Sequence, residues 1–117
     1  MQKSVSINFT KHSSQRATER NWKSVPILLS LKDQLYNAMR SRVRSDQERV
    51  FIKVSSQKTE VKAIASLSTS HEEFDEISII TILPLTDTNA ERRYHHSHKI
   101  LFDQNDYIKR NEISMNR

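Results

Sequence analysis

The stretch EISIITIL, residues 76–83, is rich in β-branched residues and apolar on both of its faces. A strand with one solvated face alternates apolar and polar residues, so this run predicts a strand in the interior of a sheet. Two similar runs precede it, RVFIKV at 49–54 and EVKAIASL at 60–67, with short polar segments between them. Three such runs with connections of this size predict an antiparallel meander.

The residues before the meander predict one further strand and two helices. Residues 4–9 alternate polar and apolar, which indicates a half-buried strand, and Thr10 is suited to cap a short helix after it. Ser24 is suited to cap a second helix, in which apolar residues recur at helical intervals from Ile27 to about Arg40. We therefore expect an α+β fold, with an N-terminal strand and two helices packed on a three- to four-stranded antiparallel sheet.

The chain length of 117 residues favours a single domain spanning 1–117. Within it we expect a core at about 5–84 and a C-terminal extension at 85–117, where ILFDQNDYIKRNEI fits a last strand, a helix or a tail. No apolar run approaches the ~20 residues that span a bilayer, and the N-terminus resembles no signal peptide. These features predict a cytoplasmic protein with no membrane partner, acting in its own cell, a host or a target cell.

Two missing residue types exclude several chemistries. Cysteine is absent, which removes disulfides, thiolate catalysis and cysteine-based zinc sites. Glycine is absent as well, although ordinary usage is about 7%. Glycine-rich phosphate-binding loops need backbone amides that approach the ligand closely. Any phosphate bound here must therefore be held mainly by side chains.

The net charge of +5 and the pI near 9.7 favour a polyanionic partner. Part of that charge lies in the connector before the meander, where Arg40, Arg42 and Arg44 crowd together. Arg42 and its neighbours are candidates for steering RNA electrostatically, and solubility is the alternative explanation.

The first helix, TKHSSQRATERN at 10–21, carries His12, Arg16 and Arg20 at a spacing of four. Each step of four residues turns a helix by only ~40° beyond a full turn and rises ~6 Å, so the three side chains form one stripe. A second side, about 100° around the helix, offers Ser13, Ala17 and Asn21, all small, which suits close packing on a sheet. The stripe is either a phosphate-binding surface or an ordinary solvated face.

The segment FTKHSSQRATERN, followed by a helix and by strands that end in ISIITILP, resembles a family of small bacterial and phage domains. Their hallmarks are H-x3-R-x3-R in the first helix and a core strand of the form apolar-apolar-Thr-apolar. That family is similar to the RelE, colicin D and EndoU group of RNases, and the helix pattern is similar to RegB-type phage endoribonucleases. The resemblance covers about residues 5–84.

The resemblance implies metal-independent cleavage of RNA without a cofactor, by attack of the 2′-OH on the adjacent phosphorus. By position, His12 matches the helix histidine and would be the general base or acid. Arg16 would hold the scissile phosphate, and Arg20 would contact a flanking one. Thr81 matches the strand threonine and would donate a hydrogen bond to a phosphoryl oxygen. Lys53 is a further catalytic candidate, since such RNases place a basic residue on this strand; the alternative is an outward-facing edge lysine.

Four other aromatic or imidazole residues have competing interpretations. Trp22 follows the first helix, and a lone tryptophan there is more often a core residue than a platform for stacking an RNA base. A site with one histidine needs a second proton carrier, for which His96 and His98 are candidates; a flexible basic loop is the alternative. His71 lies in an acidic turn and fits a solvated loop residue. The spacing of the histidines does not favour a metal site.

The function predicted is thus a metal-independent endoribonuclease of the toxin or phage RNA-processing kind, acting on tRNA, mRNA or ribosome-bound RNA. A cognate inhibitor or immunity protein is an expected partner. Two alternatives remain from the residues: a non-catalytic RNA- or ribosome-binding module on the same fold, and a small basic protein that binds an acidic protein partner.

Overall fold

The computed structural model describes residues 4–55, 60–94 and 99–103. These residues form an α+β fold, as predicted. The strands are β1 (Ser4–Phe9), β2 (Arg49–Ser55), β3 (Glu60–Ser68), β4 (Phe74–Ile82) and β5 (Lys99–Asp103). The helices of this part of the chain are α1 (Lys11–Arg20), α2 (Ser24–Ser30), α3 (Lys32–Arg42) and α4 (Asn89–Arg93).

The five strands form one sheet in the order β1-β4-β3-β2-β5. The predicted antiparallel meander is confirmed, because β2 pairs with β3 and β3 pairs with β4, both antiparallel. β4 lies between β1 and β3, which is the interior position that its two apolar faces predict. The sheet is mixed rather than purely antiparallel, since β1 runs parallel to β4 and β5 parallel to β2.

The first three helices cover one face of the sheet and form the main core with it. Leu28 of α2 and Leu35 and Met39 of α3 are fully buried there, against the inward residues of the strands. The other face carries a smaller cluster under α4, in which Phe51 and Ile64 pack with Ala90. Side chains alternate between the two faces of the sheet along β2, β3 and β4. Each face therefore carries its own apolar cluster, and the two clusters differ in size.

The second helix predicted from Ile27 to about Arg40 is two helices, which meet at Leu31. Leu31 leaves helical geometry with φ −100° and ψ 13°. Just before it, the Ser30 hydroxyl donates a 2.7 Å hydrogen bond to the Ile27 carbonyl. Serine side chains compete in this way with backbone hydrogen bonds and are known to bend helices. The break lets α2 and α3 each direct an apolar side at the sheet.

The prediction that Ser24 caps this helix is wrong. Ser24 is the first residue of α2, and Lys23 occupies the capping position without a side-chain bond. The Ser24 hydroxyl is buried and has no hydrogen-bond partner among the described residues. The predicted cap of α1 is confirmed, since the Thr10 side chain accepts a 3.0 Å hydrogen bond from the Ser13 amide.

Candidate functional site

The small side of α1 lies against the sheet, as its sequence predicts. Ser13 and Ala17 are buried, with 0% and 2% of their surface exposed. At the end of the helix, the Asn21 side-chain amide donates a 2.8 Å hydrogen bond to the Glu60 carbonyl at the start of β3. Small residues allow a helix backbone to approach a sheet closely. In α1 they determine how near the stripe of His12, Arg16 and Arg20 lies to the sheet.

Both ends of α1 are bonded to the same short stretch of β4. β1 stops pairing with β4 at Ile79, so the next carbonyls on that edge need other donors. The Thr10 amide bonds to the Ile79 carbonyl at 3.2 Å, and its hydroxyl donates to the Ile80 carbonyl at 3.2 Å. At the other end, the Arg20 guanidinium donates to the Ile82 carbonyl at 2.9 Å. α1 and its cap therefore supply hydrogen-bond donors to the edge of β4 where β1 ends.

The three residues of the stripe differ in how they are engaged. His12 is exposed, and within the described part of the chain its imidazole has no hydrogen-bond partner. Arg16 forms a 2.9 Å ion pair with Glu19 in which both side chains are partly exposed, at 36% and 46%. Exposed pairs of this kind contribute only about 0.2–1 kcal/mol, so a phosphate can displace Glu19 at small cost. Arg20 donates a hydrogen bond through one guanidinium nitrogen to the Ile82 carbonyl of β4.

Thr81 lies between two of the β4 residues whose carbonyls α1 and its cap engage, Ile80 and Ile82. It pairs with Ile64 beside a bulge, so its half-buried side chain is on the face of the sheet that carries the smaller cluster. The structure thus brings the strand segment of Thr81 to the same edge as the stripe of α1.

Lys53 lies farther from the stripe. It pairs with Lys62 on β3, so β3 separates it from β4, and two strand spacings amount to about 10 Å. Its ammonium group is 3.7 Å from the Glu60 carboxylate. A catalytic role for Lys53 stays a prediction, and its place on β2 is not adjacent to the edge of β4 that α1 covers.

Trp22 is exposed over 66% of its surface, so the expectation that it is a core residue is wrong. It lies in the turn between α1 and α2, and the inward positions that follow are taken by Ser24 and Leu28. The Lys23 ammonium lies 5.9 Å from the centroid of the Trp22 ring. A large aromatic ring with a cation beside it is thereby presented to solvent immediately after the cationic helix.

Arg42 lies near the end of β3 that is farther from the C-terminal end of α1. It is exposed in the last turn of α3, and the connector after it bonds to the end of β3 through the Gln47 amide and the Leu67 carbonyl, at 2.9 Å. The end of α1 is bonded to Glu60 at the start of the same strand. The seven residue steps from Glu60 to Leu67 correspond to about 23 Å.

The histidines outside α1 contribute no second proton carrier within the described residues. His71 is exposed in its turn, as predicted, with its ring 3.9 Å from that of Phe74 and its Nδ1 accepting from the Glu73 amide. His96 and His98 lie outside the described residues. No group of three histidine, aspartate or glutamate side chains in the described ranges is placed to hold a metal ion.

Two buried charged residues were not singled out from the sequence. Asp75 is 5% exposed and accepts a 2.5 Å hydrogen bond from the Tyr36 hydroxyl. This bond, with burial and the negative charge beside it, raises the pKa of Tyr36 above its usual value. Lys62 is 4% exposed, and its ammonium donates to the Leu85 and Asp87 carbonyls at 2.8 and 3.3 Å.

Both residues had a signal in the sequence. Asp75 shares its strand register with the buried Ile77 and Ile79, which places a carboxylate on the core side. Lys62 stands in the apolar run EVKAIASL, where a charge needs either solvent or a partner.

No helix among the described residues has the length and apolar character that crossing a membrane requires. No family model, curated protein or solved structure matches this chain.

Proposed function

We propose that this protein is a metal-independent endoribonuclease whose site lies along the edge of β4 that α1 covers. The observation that supports this most is the attachment of both ends of α1 to Ile79–Ile82, which fixes the stripe of His12, Arg16 and Arg20 at the edge of the strand segment that contains Thr81. Such a fixed helix favours catalysis because its backbone needs no reorganisation when negative charge develops on the phosphate, and only Arg16 has to exchange an exposed ion pair for the phosphate.

The proposed reaction assigns a separate task to each side chain. His12 takes the proton from the 2′-OH or gives one to the departing 5′ oxygen, and its exposed imidazole has no described partner to displace. Arg16 leaves Glu19 for the scissile phosphate. A guanidinium has five N–H donors, so Arg20 can keep its bond to β4 and still contact a flanking phosphate. The Thr81 hydroxyl donates to a phosphoryl oxygen.

The second proton carrier is proposed to be His96 or His98, and Lys53 is proposed as an accessory cation rather than a neighbour of His12. The proposed substrate is tRNA, mRNA or ribosome-bound RNA in the cytoplasm of the protein's own cell, a host or a target cell. A cognate inhibitor protein is the second proposed partner.

The test is cleavage of total RNA by the purified protein in EDTA, with His12→Ala beside it. His71→Ala is the matched control, because His71 is also an exposed histidine but lies in the turn before β4. The proposal expects cleavage that persists in EDTA, is retained in His71→Ala and is lost in His12→Ala. Equal cleavage by the two variants would show that His12 carries no proton in the reaction.

A second candidate function is a module that binds RNA without cutting it, and the exposure of Trp22 beside Lys23 favours it. Stacking of a base on an aromatic side chain contributes about 1–3 kcal/mol, so Trp22→Ala should weaken single-stranded RNA binding by about fivefold or more. RNA retention without cleavage in wild type would support the module. Neither retention nor cleavage would leave the third alternative, a basic protein that binds an acidic protein partner.

A further inference from the structure

A small cavity opens at the end of α3, where the chain turns into β2. Its volume is about 140 Å³. Its apolar floor comes from Val43 and the buried Leu67. Its polar lining consists of two cations, one carboxylate and two hydroxyl-bearing residues: Arg40, Arg44, Asp46, Ser45 and Thr69.

The Arg40 side of this cavity is held by a chain of contacts. The Arg40 guanidinium lies 5.9 Å from the centroid of the Tyr36 ring, and the Tyr36 hydroxyl is bonded to the buried Asp75 at 2.5 Å. An arginine that rests on an anchored ring loses less conformational entropy when it binds a ligand than a freely moving one.

The Asp46 side is fixed by the turn in which it lies. The Asp46 Oδ1 accepts hydrogen bonds from the amide and the hydroxyl of Thr69, at 2.7 and 3.3 Å. The next residue, Gln47, has a left-handed φ of 62°, and its amide bonds to the Leu67 carbonyl at 2.9 Å. A non-glycine residue keeps this conformation only where neighbouring contacts hold it. Since both bonds to Asp46 use Oδ1, Oδ2 is left for a ligand.

We propose that this cavity is a subsite for a cytosine base of single-stranded RNA. A cavity of about 150 Å³ holds one aromatic ring, which suits a pyrimidine better than a purine. Carboxylates accept a hydrogen bond from the cytosine N4 amino group, whereas uracil presents an acceptor at that position. The guanidinium groups of Arg40 and Arg44 supply positive charge for the adjoining phosphates, which the Glu48 carboxylate at the Arg44 amide offsets in part.

The inference rests on the proposed RNA-directed function and adds a base preference to it. Leu67 pairs with Ile77 on β4, and Ile82, which Arg20 engages, is five residues farther along that strand, or about 17 Å. A single OB-fold domain, which is also small, binds strands of about 4–16 nucleotides. One RNA strand can therefore contact the stripe of α1 and this cavity together.

The test is a titration of the full chain with 5′-CMP, 5′-UMP and inorganic phosphate, followed by NMR. CMP should bind at least about fivefold more tightly than UMP, the lower limit for one well-formed base contact. In Asp46→Asn the side-chain oxygen can keep the Thr69 bonds, and the amide then offers a donor to uracil O4. The preference should therefore reverse. Asp33→Asn removes the same charge from an exposed position on α3 and should change nothing.

Arg44→Gln is a second variant, because the exposed Arg44 side chain can be changed without removing a buried group. It should weaken CMP and UMP alike while leaving the circular dichroism spectrum unchanged. Equal binding of CMP, UMP and phosphate, or a preference that Asp46→Asn does not alter, would overturn the cytosine subsite. Cytosine preference without His12-dependent cleavage would support the subsite and refute the proposed endoribonuclease activity. His12-dependent cleavage without cytosine preference would support the activity and refute the subsite.

Discussion

Replacing Thr10 by alanine should loosen α1 from the sheet, because Thr10 joins the two through one hydroxyl. That hydroxyl accepts the Ser13 amide at 3.0 Å and donates to the Ile80 carbonyl at 3.2 Å. Loss of a helix cap costs about 0.5–2 kcal/mol, and a partly buried hydrogen bond contributes about 0.5–1.5 kcal/mol. Thr10→Ala should therefore lower the free energy of unfolding by about 1–3 kcal/mol.

Urea unfolding followed by far-ultraviolet circular dichroism measures this loss. Tryptophan fluorescence is a poor probe here, because Trp22 is already 66% exposed in the folded protein. With a urea dependence of about 1.5 kcal/mol/M, the midpoint should fall by about 1–2 M. Thr18→Ala is the matched control, since the exposed Thr18 hydroxyl bonds only within its own helix, to the Ser14 carbonyl.

Thr10→Ser keeps the hydroxyl and should restore most of the lost stability. Because His12 lies two residues beyond the cap, Thr10→Ala should also reduce any His12-dependent cleavage in buffer without urea, where the variant is still folded. A midpoint for Thr10→Ala equal to that of Thr18→Ala would refute the reasoning, because it would show that α1 does not depend on this hydroxyl for its attachment.

Three further changes probe the core and the buried charges. Tyr36→Phe removes the donor to the buried Asp75 and should cost about 1–3 kcal/mol in thermal unfolding. Since the Asp75 hydrogen bond raises the folded pKa of Tyr36, this contribution is present below about pH 10 and is lost as pH rises through that folded pKa. Ala17→Leu should cost about 1–3 kcal/mol, because no room remains at a position 2% exposed. Lys62→Met keeps most of the apolar part of the side chain but removes the ammonium donor to the Leu85 and Asp87 carbonyls. Amide hydrogen exchange in residues 85–94 should therefore become faster.

Each of these changes has its own control. In an Asp75→Asn background, Tyr36→Phe should cost much less, and an undiminished cost would assign the effect to packing of the ring. Ala17→Ser changes the same position with little added volume and should cost less than Ala17→Leu; equal losses would argue against overpacking. Exchange in 85–94 that is the same in Lys62→Met and wild type would show that the lysine does not hold that segment.

The meander was predictable because its information is local. Each of β2, β3 and β4 is a β-branched run bounded by polar turns, and the structure moves their ends by at most two residues from the predicted ones. The parallel partners were not predictable in the same way. β1 pairs with a strand that begins at Phe74, and no residue within 4–9 specifies that partner or its direction. The choice depends on how the helices between them fill one face of the sheet.

The candidate site was predictable only in part, because burial depends on register and on neighbours that are distant in sequence. The small side of α1 was read correctly, since Ser13 and Ala17 repeat at the helical period. The exposure of Trp22 was not predicted, because the inward positions after it are occupied by Ser24 and Leu28. Asp75 shows the same limit, since its partner Tyr36 is 39 residues away.

The three residues of the H-x3-R-x3-R pattern differ in whether the fold alone accounts for them. Arg20 supplies a donor that the edge of β4 lacks once β1 ends, so the fold alone accounts for an arginine there. Arg16 has Glu19 one helical turn away, which accounts for it as an ordinary surface pair. His12 is exposed and bonds to no described residue, so neither packing nor hydrogen bonding accounts for it. Its loss should therefore leave stability unchanged, which makes an activity change in His12→Ala attributable to chemistry rather than to unfolding.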